Sequence, residues 1–285
     1  MAKFAIVRLC TYACAFAILA GTTVHGVARA EEPAGNNPTA TAPLFDDDEA
    51  TSWHNKTAVE IEPAGEHWIG FEGYRRAASL YSGITWSPFG NLRQDGPRLR
   101  LIAGQSIYTY AGGDYTGQGR FTDILAGWQF SQSGTTVKVF GGASRTSNLI
   151  APYDPSTKIQ GTAQGIKGVL EIWHNWTSRR WTAVDLAFSN IHGTATAQLR
   201  SGWRLDDAQW SAGPELSLIR YTDRNLNVAS ENLTPRAGLF IRFENLAHEF
   251  TISGGVSRPY ALTAGHPATS ATPMGYGTAQ YLRRF

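Results

Sequence analysis

Arg98, Arg100, Asp123, Lys138, Lys167, Glu171, Asp185, Arg200, Arg204, Glu215, Arg236, Arg242 and Glu249 are the residues whose types and spacing could do chemistry. Each sits at a polar position of an apolar–polar alternation, so all would share one face of successive strands. Mixed signs on neighbouring strands predict a network of ion pairs. Such a face can be a salt-bridged plug, or a small polar pore or groove that passes or holds a solute. Barrels of about eight strands fill with side chains, whereas those of about 16 to 18 leave an aqueous channel. Lys138, Lys167, Glu171, Asp185, Arg200, Glu215, Arg236 and Arg242 are the lumen-lining candidates.

Nucleophilic chemistry finds little material. Ser189-Asn190-Ile191-His192 holds the residue types of a serine–histidine pair with an orienting amide. They are nearly consecutive at an expected hairpin, which does not build the required geometry. His174 lies in a strand without a suitably spaced serine, and His54, His67, His248 and His266 fall near linkers or turns. No glycine-rich phosphate loop or metal-ligand cluster is visible, so no catalytic residue, metal or cofactor is expected. Tyr108, Tyr110, Tyr115, Tyr153, Tyr221 and Tyr260 fall toward the end expected to be external. Their rings could stack on sugars or form an upper interfacial girdle.

The elements that must position these residues are strands. From Glu66 onward the period is two: Leu99, Leu101 and Ala103 alternate with Arg98, Arg100 and Gly104, and Ala237, Leu239 and Ile241 with Arg236, Phe240 and Arg242. Short links near 131–134, 177–179, 205–208 and 245–247 alternate with longer ones near 111–119, 146–161, 222–233 and 258–274, apart from a tight hairpin near 191–194. Outer-membrane barrels have short periplasmic turns and longer external loops. Trp128, Phe130, Trp176, Trp181, Trp203, Trp210, Phe243, Phe250 and Phe285 cluster beside the short links, as aromatic rings do at a membrane interface. The expected fold is an all-β, transmembrane, antiparallel up-and-down barrel of about twelve strands, from 68–74 to 279–285. Ten is the alternative, if 68–74 and 80–86 are not separate strands.

Residues 1–30 read as a signal peptide: Lys3 and Arg8 precede the apolar run 9–20, and Ala28-Arg29-Ala30 offers a cleavage site. Export through that signal to a bacterial outer membrane is the expected localisation. Residues 31–65, rich in Pro, Ala, Thr and acids, read as a flexible periplasmic segment, and 66–285 as the barrel. Cys10 and Cys14 both lie in the signal, so the mature chain would carry no disulfide or thiolate site. Removing Lys3, Arg8 and Arg29 from the 25 basic residues leaves 22 against 23 acidic ones. That near-neutral balance gives no ground for nucleic acid binding.

The stretch 81–92, Tyr-Ser-Gly-Ile-Thr-Trp-Ser-Pro-Phe-Gly-Asn-Leu, is followed by Asp95-Gly96-Pro97-Arg98-Leu99-Arg100 and Tyr108-Thr109-Tyr110. This pattern resembles the BcsS family, alphaproteobacterial proteins associated with cellulose biosynthesis, and the likeness extends loosely over 68–285. The resemblance implies an outer-membrane barrel of a cellulose synthesis and export system. It carries over no catalytic residue. The expected function is a non-enzymatic outer-membrane component that aids export or surface organisation of the polysaccharide. Expected partners are outer-membrane lipid, cellulose or another glucan, and periplasmic components of a cellulose synthase complex. A general small-solute porin and an outer-membrane lipid hydrolase are the alternatives.

Overall fold

Strict alternation of side chains forces each segment to show one apolar and one polar face, and closing the sheet is what separates the two faces in space. The computed structural model describes residues 63–110, 114–155, 159–205, 209–224, 229–258, 260–263, 269–270 and 272–285. The proposed signal peptide and nearly all of the proposed periplasmic segment lie outside the described residues.

The strands are β1 (Gly65–Tyr74), β2 (Ala77–Trp86), β3 (Gly96–Tyr110), β4 (Tyr115–Gln132), β5 (Thr135–Ala151), β6 (Gly161–Thr177) and β7 (Arg180–Ser189). They continue as β8 (Thr194–Arg204), β9 (Trp210–Arg224), β10 (Ala229–Glu244), β11 (His248–Ser257), β12 (Tyr260–Thr263), β13 (Thr269–Ser270) and β14 (Met274–Arg284). Each barrel strand pairs antiparallel with its neighbours, and β14 pairs with both β11 and β1, which closes the ring. The wall therefore has twelve strands, β1–β11 and β14, while β12 and β13 lengthen the last hairpin at the end away from Phe285. Gly65 and Phe285 exchange two backbone hydrogen bonds of 2.9 and 2.8 Å, so both lie at one end. In bacterial barrels that end is periplasmic.

Three expectations about connections need correction. The link near 111–119 is short, because β4 begins at Tyr115; β5 runs to Ala151 rather than ending near 146; and the link near 222–233 is short, because β9 runs to Arg224 and β10 begins at Ala229. Polar residues there still alternate, and pairs such as Gly117↔Ile150 keep the ladder bonded beyond the apolar band. The hairpin near 191–194 contains one short helical turn, Ile191–Gly193, with His192 at φ 52° and Gly193 at φ 55°. The left-handed conformation suits glycine, and histidine adopts it more readily than most other side chains.

The outward face carries Ile69, Leu101, Ile124, Val139, Ile166, Leu199, Leu216, Leu239 and Ile252, all exposed. Water would penalise this band, and a bilayer covers it. Trp86, Trp128, Phe130, Trp176, Trp203, Trp210, Phe250 and Phe285 are exposed beside the turns at the Phe285 end, and Phe243 is half-buried there. Trp181 is the exception. It shares the inward parity of Ala183 and Asp185 and is fully buried, so its place is in the core rather than the girdle. Among the described residues no helix is long and apolar enough to cross a membrane.

Inside, large rings lie across glycines of the paired strand. Trp68 faces Gly83, Tyr108 faces Gly117, Phe140 faces Gly127 and Trp181 faces Gly202 in direct register. A Cβ built on any of these glycines would meet that ring at under 3 Å. The missing side chain is what lets each ring lie flat against the wall, an arrangement that also fixes register.

Candidate functional site: a braced and sealed barrel interior

The inward charges named from sequence are buried, and their partners come mostly from strands that are not neighbours. Arg100 of β3 binds Glu171 of β6 through both guanidinium nitrogens, the second at 3.1 Å. Lys167 of β6 reaches Asp123 of β4 at 2.6 Å, and Lys138 of β5 reaches Glu66 of β1 at 3.4 Å. Arg236 of β10 holds Glu72 of β1 at 2.8 Å. Between adjacent strands, Arg200 and Glu215 pair at 2.7 Å, and Arg242 pairs with Glu249 at 2.7 Å; within β10, Arg242 also pairs with Glu244 at 3.2 Å. Arg284 joins both of those carboxylates at 3.4 to 3.5 Å. Asp185 lies in the electrostatic field of both Arg100 and Arg200. All eight lumen-lining candidates are thus inward and buried.

Aromatic rings complete the filling. Arg100 lies 3.9 Å over Phe140, and Arg242 lies 4.7 Å over Trp173 and 5.3 Å over Trp181. Trp173 and Trp181 stack at 4.1 Å, and Trp181 meets Phe240 at 5.3 Å. A cation removed from water costs free energy unless paired, and here a carboxylate or a ring face meets it. Side chains that touch non-adjacent strands must cross the interior, so this layer is a packed core.

Both ends add cover. At the Phe285 end the β2–β3 connection folds back over the opening: Leu92 is buried and its N–H donates to Pro63 O at 2.8 Å. Arg98 donates to Ser87 Oγ at 2.9 Å, to Asn91 O at 3.2 Å and to Gln94 O, while Gln129 donates to Leu92 O at 2.8 Å. Asn91 Oδ1 accepts the N–H groups of Arg93 and Gln94, locking the turn. At the other end Ile159, from the β5–β6 connection, packs with Ala77 and Tyr108, and Tyr74 and Tyr221 pack against them. Of the tyrosines expected at this end, Tyr108 therefore belongs to the interior, Tyr115 is half-buried and Tyr153 is exposed. The side chains of Tyr110 and Tyr260 lie outside the described set.

The serine–histidine candidate is built into its turn. Ser189 is buried and its Oγ accepts the Ile191 N–H at 3.2 Å, while Asn190 Oδ1 accepts the Ile166 N–H at 2.9 Å. His174 Nδ1 lies 2.7 Å from Thr135 Oγ1, and His248 Nδ1 lies 2.8 Å from the Tyr281 hydroxyl. Among the described residues no three His, Cys, Asp or Glu side chains are grouped to hold a metal ion.

A family model described as cellulose biosynthesis protein BcsS matches residues 67–285, the whole barrel apart from its first two residues. The chain belongs to the BcsS family. A search of curated protein sequences finds no significant match. Among solved structures the KdgM porin is 7% identical, covering 77% of this chain and 99% of its own, with a TM-score of 0.39. LpxR from Salmonella typhimurium is 10% identical over 77% and 100%, with a TM-score of 0.43. The translocator domain of the autotransporter NalP from Neisseria meningitidis is 14% identical over 78% and 88%, with a TM-score of 0.41. At these scores the likenesses carry no argument about this chain's activity.

Within this BcsS-family barrel, sequence reasoning missed Glu66, Glu72 and Glu244, which pair with Lys138, Arg236 and Arg242, and the further cation Arg284, which joins Glu244. Glu66 and Glu72 lie in the first strand, and Glu244 and Arg284 are the last residues of β10 and β14. It also left Trp68, Phe121 and Trp173 without a place. For Trp68 and Phe121 the signal was present: an aromatic residue at an inward position, with a glycine, Gly83 or Gly104, one strand away.

Proposed function

We propose that this BcsS-family barrel works in cellulose biosynthesis as a non-conducting, non-enzymatic outer-membrane component that organises glucan at the cell surface. The observation that carries this reading is the packed interior. Arg100–Glu171, Lys138–Glu66 and Arg236–Glu72 tie non-adjacent strands together across the space a polymer would have to occupy. A chain of sugars could pass only after several buried ion pairs were broken, each at a large cost. Aid to the polymer then comes from the ends. The external end offers Tyr221, partly exposed, and Tyr153, exposed, as ring faces for sugar. The other end offers the rigid β2–β3 connection to periplasmic components of the synthase. Binding rather than turnover fits the Ser189 hydroxyl, which is engaged by its own turn.

In a strain lacking the gene, extracellular cellulose should fall or change location while synthase activity inside persists. Unchanged cellulose would overturn the reading. Purified barrel in planar lipid bilayers should give no steady conductance steps. Stable open-channel steps would move a small-solute porin to first place.

A further inference from the structure

Away from the interior, the lipid-facing wall carries a recess of about 530 Å³. It spreads over the outward faces of β5 to β10, from Val139 and Leu170 to Leu233, and at β8 its outward side chains are only Ala195 and Ala197. Register places Leu186 and Phe188 of β7 along one side, and Leu218 and Arg220 of β9 along the other. The floor is β8 backbone around Thr196, whose side chain turns inward and is buried. At β8 this apolar trough has two small residues between two rows of large ones.

The lining is apolar except at one end. Arg220 is its one ionised residue. It faces outward, since its neighbour Ile219 is buried, and it lies four residues short of the external end of β9 at Arg224. Arg120 and Arg145, on the external halves of β4 and β5, are also outward and exposed. A lipid-facing guanidinium is costly at mid-bilayer and settles at headgroup depth. An apolar trough that ends on a guanidinium there matches an acyl chain below an anionic headgroup. Phosphate suits the guanidinium best, because its oxygens accept two parallel N–H bonds.

We propose that this trough, centred on β8, binds one acyl chain of a phosphorylated outer-leaflet lipid, with Arg220 holding its phosphate. The probe is lipid A, the acylated and phosphorylated disaccharide of that leaflet. Barrel purified in mild detergent is titrated with lipid A, or with dephosphorylated lipid A, and bound lipid is counted by native mass spectrometry. Wild type should retain one lipid A per barrel. Ala197→Phe, which fills the trough from outside, and Arg220→Ala should each weaken retention at least tenfold. Dephosphorylated lipid A should bind wild type no better than lipid A binds Arg220→Ala. Heat-modifiable mobility on a gel confirms that each variant is folded. Equal retention by wild type and a folded Ala197→Phe variant would show non-specific annular lipid only and overturn the proposal. So would equal retention of the two lipids by wild type.

Discussion

Gly83→Ala should be among the most damaging single substitutions in this barrel. A Cβ at position 83 would lie 1.9 and 2.0 Å from two atoms of the Trp68 indole, which is itself buried against the core. The ring cannot retreat, because Trp68 packs in the same cluster as Tyr81 and Leu282, and Leu282 is its partner in β14. Inserting one methyl into a well-packed core typically costs about 1–3 kcal/mol, and a clash with a rigid ring lies at or above the top of that range. The urea midpoint of the barrel in lipid should drop sharply, and much of the protein should lose heat-modifiable mobility. Trp68→Leu alone is also destabilising, through the cavity it leaves. In the double variant the methyl enters that cavity, so the two costs should not add. Additive losses would mean that the ring and the glycine are not coupled as the register implies.

The second large effect is expected at Glu215. Its carboxylate holds Arg200 at 2.7 Å and accepts hydrogen bonds from Ser253 Oγ and the Tyr276 hydroxyl, both at 3.1 Å. Glu215→Leu strands a buried guanidinium and should cost about 3–5 kcal/mol in unfolding free energy. Arg200→Met in the same background removes the stranded charge and should restore more than half of that loss. Full restoration is not expected, because Ser253 and Tyr276 still lack their acceptor. If Glu215→Leu unfolds at the wild-type urea concentration, the pair does not brace the wall.

Both predictions rest on residues that differ in how legible they were. Arg200 and Glu215 stood out as charges at polar positions of an alternating strand. Which face each would occupy followed from parity alone, since a one-residue slip would turn every side chain over. Register was not legible, so neither the Arg200–Glu215 contact nor the reach of Lys138 to Glu66 could be named from sequence. A pairing between residues 72 positions apart is a property of closure, not of local pattern. Trp181 shows the opposite failure. Its parity with Asp185 already placed it inside, but its position beside a short turn suggested the girdle. Alternation decides the face; proximity to a turn decides only the depth. The loop lengths erred for a related reason. Polar alternating residues such as Thr116 and Ser147 look like loop to a hydrophobicity count, yet they continue the ladder once a partner strand is present.

The seam between β1 and β14 also governs how the molecule comes into being. Ile69 and Tyr281 are paired, yet 212 positions separate them along the chain. Until β14 arrives, β1 and β11 each present an open row of backbone donors and acceptors, the kind of edge that recruits other chains. The entropic cost of joining such distant segments grows only slowly with length, so reaching the seam is a matter of time more than of free energy. During that interval the chain needs holding apart from its neighbours. The amount of barrel that reaches the surface is therefore set by a race between ring closure and aggregation, which a stability measurement on the finished protein would not register.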